Sequence, residues 1–227
     1  MTNRKTANIF YAVSAVAFAV QCIWSVVGIS PFVRIFLFVT VALCLHIGSV
    51  VKVSDADEKT KYSVMRKTYF VMFALYLVLF LALVFVDGYY EKDIRNIGHR
   101  IESVDEYMDN YVSFLPFRNT RELFRCLKMG WISPKMPLLN IGGNLLLCMP
   151  FAFFLPLFFK KQHNFFIFYL TVAGISAMVE STQFLARIGF CDIDDLIFNV
   201  AGACVMFGIL HTKPLRKLVA KITKLEY

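Results

Sequence analysis

The six cysteines, Cys22, Cys44, Cys126, Cys148, Cys191 and Cys204, include no C-x-x-C pair, and no Walker, dinucleotide-binding or H-E-x-x-H pattern occurs in the 227 residues. These absences remove the usual sequence grounds for a structural zinc site, a nucleotide-driven enzyme or a zinc peptidase. Internal repeats and low-complexity segments are missing too. Charged residues are sparse at 18%, whereas 58% of the chain is hydrophobic and the mean hydropathy is +0.61. A soluble domain is about 45–50% apolar, so the excess points to lipid. The net charge of +8 would suit nucleic acid in a soluble chain. In one this apolar, Lys and Arg are better read as topology determinants and contacts for anionic lipid, and no nucleic-acid partner is expected.

Six stretches are apolar and long enough to cross a bilayer as helices: roughly 8–29, 33–53, 68–87, 137–159, 164–185 and 194–212. The fold class expected is therefore an all-α, polytopic membrane helical bundle. Arg4 and Lys5 precede the first run as in a signal peptide, but no further charge follows until Arg34. That run exceeds an ordinary signal-peptide core, which favours a retained helix. The segments on one side carry 14 basic and four acidic residues, against 10 and 11 on the other, with Glu180 inside the fifth span left out. Short Lys/Arg-rich loops stay cytoplasmic, so both termini are expected inside a cell membrane.

The loop 88–136 would then be extracytoplasmic. Ile94, Ile97, Ile101, Val104 and Met108 have the spacing of an amphipathic helix lying at the interface, with Tyr89, Tyr90 and Tyr107 in the headgroup layer. A second short helix is expected from Thr120 to Lys128, separated from the first by Pro116. Cys126 and Cys191 both fall in outer loops, where a disulfide is feasible although no spacing supports it.

Polar residues concentrate at three places within or beside the apolar segments. Asn140 and Asn144 are one turn apart near the start of the fourth span, with Gly142 and Gly143 open to close approach by another backbone. Pro150 is expected to kink that helix. Glu180, Gln183 and Arg187 form a stripe near the end of the fifth span. Asp192, Asp195 and Asn199 form another on the sixth, with Asp192 capping it and Asp194 directed away towards solvent. All three places should meet at one depth, near the outer surface. Carboxylates are costly in a bilayer, and Glu180 is the residue the chain has least reason to carry without a function. Ordinary structural roles remain open as well: helix–helix hydrogen bonds for the Asn residues, an ion pair for Glu180 with Arg187 or Arg118, and capping for Asp192.

The chemistry is equally open. Oxygen ligands of this kind hold a divalent cation, bind a polar headgroup, sugar or peptide with arginine taking a phosphate, or perform acid–base work. A transporter is disfavoured, because the acids cluster at one surface and no charged path crosses the bilayer. The candidate ligand-binding set is Arg118, Asn140, Asn144, Glu180, Gln183, Asp192, Asp195 and Asn199. Catalysis, cofactor and metal stay unassigned, and membrane lipids are the partners the composition itself supports.

These motifs resemble the VanZ-like family of bacterial membrane proteins. The likeness covers roughly 68–210 and rests on Leu115-Pro116-Phe117, Asn140-x-x-Gly143-Asn144 followed by Pro150, Glu180-x-x-Gln183, and Asp192-x-Asp194-Asp195-x-x-x-Asn199-x-x-Gly202. It divides the chain into two additional N-terminal helices with a cytoplasmic loop (1–67), a VanZ-like membrane domain (68–212) and a basic cytoplasmic tail (213–227). The resemblance implies a cell-envelope role that reduces access of a glycopeptide, teicoplanin, to its surface target. A lipid-linked cell-wall precursor or the glycopeptide itself would then be the partner. The alternative is an integral-membrane enzyme acting on such a precursor through Glu180 and Asp192 or Asp195.

Overall fold

The structure, a computed structural model, describes residues 2–25, 31–87, 107–108, 112–186, 191–225 and 227. It is a helical membrane protein. Among the described residues five helices are long and apolar enough to span a bilayer: Val33–Lys52, Glu58–Phe85, Lys135–Phe158, Phe165–Ala186 and Ile193–Leu210. The first expected span overlaps helix α1 (Thr2–Ser25), which is not among the five, and its last four residues lie outside the described ones. Large apolar side chains face outward along the spans, including Phe36, Phe70, Phe166 and Met178, each more than 60% exposed. That surface is tolerable only in lipid.

The chain divides into two compact units, Met1–Asp87 with Lys217–Tyr227, and Gly88–Arg216. In the first, α1, α2 (Pro31–Lys52) and α3 (Glu58–Leu81) pack together, and α3 runs on into a π-helical turn, Ala82–Asp87. Gly48 lets α1 approach α2 closely, since a Cβ there would lie 3.1 Å from Phe10 and Tyr11. Hydroxyls then join the three helices: Tyr11 to Ser49 at 3.0 Å, and Ser49 to Thr68 at 2.6 Å. In lipid no water is present to bond these groups, so they bond one another. Asp57 starts α3 by accepting the Thr60 amide at 3.2 Å.

The second unit is built around one central helix. Its elements are β1 (Val112–Ser113), α4 (Arg118–Lys128), α5 (Lys135–Leu147), α6 (Phe151–Phe158), α7 (Phe165–Ala186), β2 (Cys191–Asp192) and α8 (Ile193–Leu210). Helix α9 (Lys213–Thr223) follows α8. Central α8 packs against α5, α6 and α7 and touches α4. Gly202 decides how closely: an added Cβ would sit 1.9 Å from the Leu145 carbonyl oxygen and 2.9 Å from its Cα. Only glycine fits there. The expectation for Gly142 and Gly143 is corrected accordingly. A Cβ on Gly143 would meet nothing within 4 Å and one on Gly142 only Leu138 at 3.9 Å, so the close approach belongs to α8.

Pro150 breaks the fourth span into α5 and α6. Without an amide proton it cannot continue the ladder, and the chain crosses Cys148–Pro150 on tighter bonds, Phe151 to Cys148 at 3.1 Å and Ala152 to Met149 at 3.0 Å. Beyond the third span, the short helix expected near 120 is present as α4. The amphipathic helix expected over 94–108, with Tyr89 and Tyr90, lies outside the described residues up to position 106. Tyr107 is a correction. It is 2% exposed, with its hydroxyl donating to the Gln183 carbonyl at 3.5 Å and its ring 6.0 Å from that of Phe184, so it packs in the unit rather than in a headgroup layer.

Candidate functional site

One end of the second unit gathers most of the polar residues singled out in the sequence. Helix α7 delivers Glu180 there, six residues before its end, and α8 delivers Asp192, Asp194 and Asp195 from its cap and first turn. Between them β1 and β2 pair in parallel, Val112 with Cys191 and Ser113 with Asp192, which ties the incoming loop to the start of α8.

Asp192 caps α8, accepting the Asp194 amide at 2.9 Å, and its other oxygen accepts the Asn119 side-chain amide at 2.8 Å. Its own backbone amide donates to Glu180 Oε2 at 3.1 Å. Thus Glu180, 7% exposed, fastens the end of α7 to the start of α8.

Asp194 overturns its expected direction towards solvent. It is 1% exposed and accepts bonds from the Phe117 amide, from the Thr120 amide at 3.0 Å and from the Thr120 hydroxyl at 2.8 Å. The reason lies in α4. That helix has no acid in its first turn, and Phe117, at its N-cap with φ +61°, provides no side-chain cap. The orphan amides at a helix start need an acceptor and favour negative charge. Asp194 supplies both across 74 residues of sequence.

Asn144 and Asp195 come together as donor and acceptor. The next residue of α5, Leu145, lies against Gly202 of α8. Asn140 stays exposed. It sits one turn, about 6 Å, nearer the start of α5 than Asn144. Asn199, 4% exposed, donates to the Ser176 hydroxyl at 3.3 Å and so joins α8 to α7 deeper in the unit. Gln183 is half-buried near the end of α7, and Arg118 is exposed on α4. Arg187 lies outside the described residues. Asn119, Thr120 and Ser176 escaped the sequence reading. The missing cap on α4 was the one signal that pointed to the first two.

A cavity of about 410 Å³ opens at this end, lined by Phe114, Ala177, Phe184, Leu196 and neighbours, with Glu180 and Asp192 in its wall. Its character is mostly apolar. Among the described residues no three His, Cys, Asp or Glu side chains are grouped to hold a metal ion. The carboxylates are spent instead on N–H and O–H donors. Cys126 and Cys191 are both free thiols, so the feasible disulfide is not formed. Burial raises the Cys191 thiol above its ordinary pKa, with the charges of Glu180, Asp192 and Asp195 adding to the effect. A thiol held protonated in this way is a poor nucleophile.

No curated protein and no solved structure matches the chain. A family model does, VanZ/LLP1, over residues 73–215, which takes in every polar residue of this cluster. With more than half of its length matched and a helical membrane architecture, the chain belongs to the VanZ/LLP1 family.

Proposed function

We propose that this protein acts in the cell envelope, with the cavity end of its second unit facing outward, where it engages an envelope ligand and lowers access of glycopeptides such as teicoplanin to their target. The single observation that carries this reading is Glu180, a carboxylate from a spanning helix that forms the wall of an open cavity. Such a group is costly in the membrane unless something uses it. The outward direction is supported by the charge balance of the sequence, with 14 basic and only four acidic residues in the segments expected to be cytoplasmic. Family membership supports the envelope role.

Within this reading Glu180 and Asp192 are the ligand contacts. Asp195 with Asn144, and Asn199 with Ser176, hold the helices that shape the cavity. Arg118 on α4 and Asn140 on α5 are exposed and do not line the cavity.

The test is teicoplanin susceptibility of a sensitive Gram-positive host expressing wild type or Glu180→Gln at matched membrane levels. The expected result is resistance with wild type and none with the variant. Equal susceptibility of the wild-type strain and an empty-vector strain would remove the glycopeptide role. Resistance retained in Glu180→Gln would make Glu180 a purely structural clasp.

A further inference from the structure

We propose that α9 is a membrane-surface helix that binds anionic phospholipid, with Leu218 and Ile222 set into the bilayer interface and Lys213, Lys217 and Lys221 holding the headgroups. The proposal is independent of the cavity, which lies at the start of α8, whereas α9 follows its end. Three observations carry it.

First, α9 sorts its residues by face. Lys213, Lys217 and Lys221 recur every four positions and form one stripe. Leu218 and Ile222, also four apart, form a second. Each of these apolar residues directly follows a lysine, so the two stripes lie side by side, about 100° apart around the axis. The helix contains no Asp or Glu.

Second, both stripes are uncovered, although the protein occupies the other side of the helix. Leu218 and Ile222 are each 47% exposed, and the three lysines are exposed as well. Val219 and Ala220 are partly buried and Thr223 is fully so. Among the described residues none of the three ammonium groups has a carboxylate or hydrogen-bond partner.

Third, the chain itself delivers α9 to the bilayer surface. The last span ends at Leu210 and α9 begins at Lys213. Three residues reach at most about 11 Å when fully extended, which keeps the first lysine in or beside the headgroup layer. An exposed apolar pair flanked by lysines matches an interface where acyl chains and phosphates meet. An acidic soluble protein would answer the lysines and leave Leu218 and Ile222 in water. An apolar protein surface would do the reverse. An anionic bilayer answers both stripes at once.

The experiment uses the full chain in nanodiscs of phosphatidylcholine and reads tryptophan fluorescence. The sequence has two tryptophans, Trp24 and Trp131. Trp24→Phe and Trp131→Phe clear the background, and Ile222→Trp supplies the reporter. Each preparation is doped with one lipid whose acyl chains carry bromine, a contact quencher: phosphatidylglycerol or phosphatidylcholine. The expected result is quenching by both, with phosphatidylglycerol effective at about fivefold lower content, the factor set by one lysine near a charged surface. Raising the salt from about 0.01 M to about 1 M shortens the Debye length from about 30 Å to about 3 Å and should bring the two lipids to within about twofold. Lys213→Gln with Lys217→Gln and Lys221→Gln should do the same at low salt, while quenching itself persists through the intact apolar stripe. Leu218→Trp repeats the reading from the neighbouring turn and serves if Ile222→Trp fails to accumulate. No quenching by either lipid at both positions would mean that protein or water covers this face, and would overturn the proposal. Equal quenching by the two lipids at low salt, or a preference that the triple lysine variant keeps, overturns it as well.

Discussion

Asp194, on the first turn of α8, accepts both the amide and the hydroxyl of Thr120, at 3.0 and 2.8 Å, and so caps a helix that begins 76 positions earlier in the chain at Arg118. The segment that leads into α5 is thereby bolted to α8. Parallel pairing of Ser113 with Asp192 makes a second attachment within a few residues. Between these two ties lies Phe114, which lines the cavity. The acids at the start of α8 thus hold one cavity wall in place.

Asp194→Asn should release α4 without unfolding the spans. An amide accepts on one oxygen only and would turn N–H groups towards the donors of Phe117 and Thr120. Hydrogen bonds to a charged group are worth about 1.5–3 kcal/mol each, and the expected loss of local stability is about 2–3 kcal/mol. Tryptic cleavage after Arg121 and Arg125, both on exposed faces of α4, should become faster while far-ultraviolet circular dichroism stays constant. An unchanged cleavage rate would show that the β1–β2 pairing alone anchors the loop.

Gly202→Ala should destabilise the second unit, because the added methyl meets the Leu145 backbone, which has no rotamer to escape into. Overpacking of this kind costs about 1–3 kcal/mol or more. Gly143→Ala is the matched control, since nothing lies within 4 Å of its added Cβ; a change within about 0.5 kcal/mol is expected. Thermal unfolding of the two purified variants in one detergent checks both expectations. Equal melting temperatures would contradict the close α5–α8 crossing.

Asn144 and Asp195 should be energetically coupled, whereas Asn140 and Asp195 should not. In a double-mutant cycle to alanine, contacting residues in one hydrogen-bond pair give about 0.5–3 kcal/mol of interaction energy. The Asn140 cycle should close to within about 0.5 kcal/mol. Unfolding free energies of the four proteins in each cycle supply the test. Coupling of similar size in both cycles would mean that Asn140 reaches the cluster after all.

The spans and the polar clusters were legible because both are written locally. A run of twenty apolar residues or an acid inside one is visible without knowing any partner. Asp192 as a cap was legible for the same reason, since a cap bonds two residues on. Asp194 was not. Helical spacing turned it away from Asp192 and Asp195, and only its long-range partners, Phe117 and Thr120, reveal that the other direction is buried. The Gly142-Gly143 pair misled likewise, because small residues permit an approach without requiring one. The partner choice fell to Gly202, whose neighbour Leu145 carries no sequence mark.

His163 and His211 give the fold a pH dependence on the side away from the cavity. Their rings lie 5.7 Å apart, His211 stacks on Phe207 at 3.7 Å, and both residues sit just outside the spans. Burial lowers the pKa of His163 below the ordinary 6.5, and the charges of His211 and Arg216 push the same way, against a smaller opposing bond from Pro156. Burial lowers His211 as well, with Arg216 adding and the Phe207 carbonyl opposing. A histidine with a lowered folded pKa binds fewer protons folded than unfolded, so protonation favours unfolding. The stabilisation is fully present above the unfolded value of about 6.5 and is lost as pH falls from there through the folded values. Melting temperature measured from pH 8 downward should therefore be level and then decline below about 6.5. His163→Gln with His211→Gln should flatten the curve over that interval. A decline that persists undiminished in the double variant would show that groups other than this histidine pair carry it.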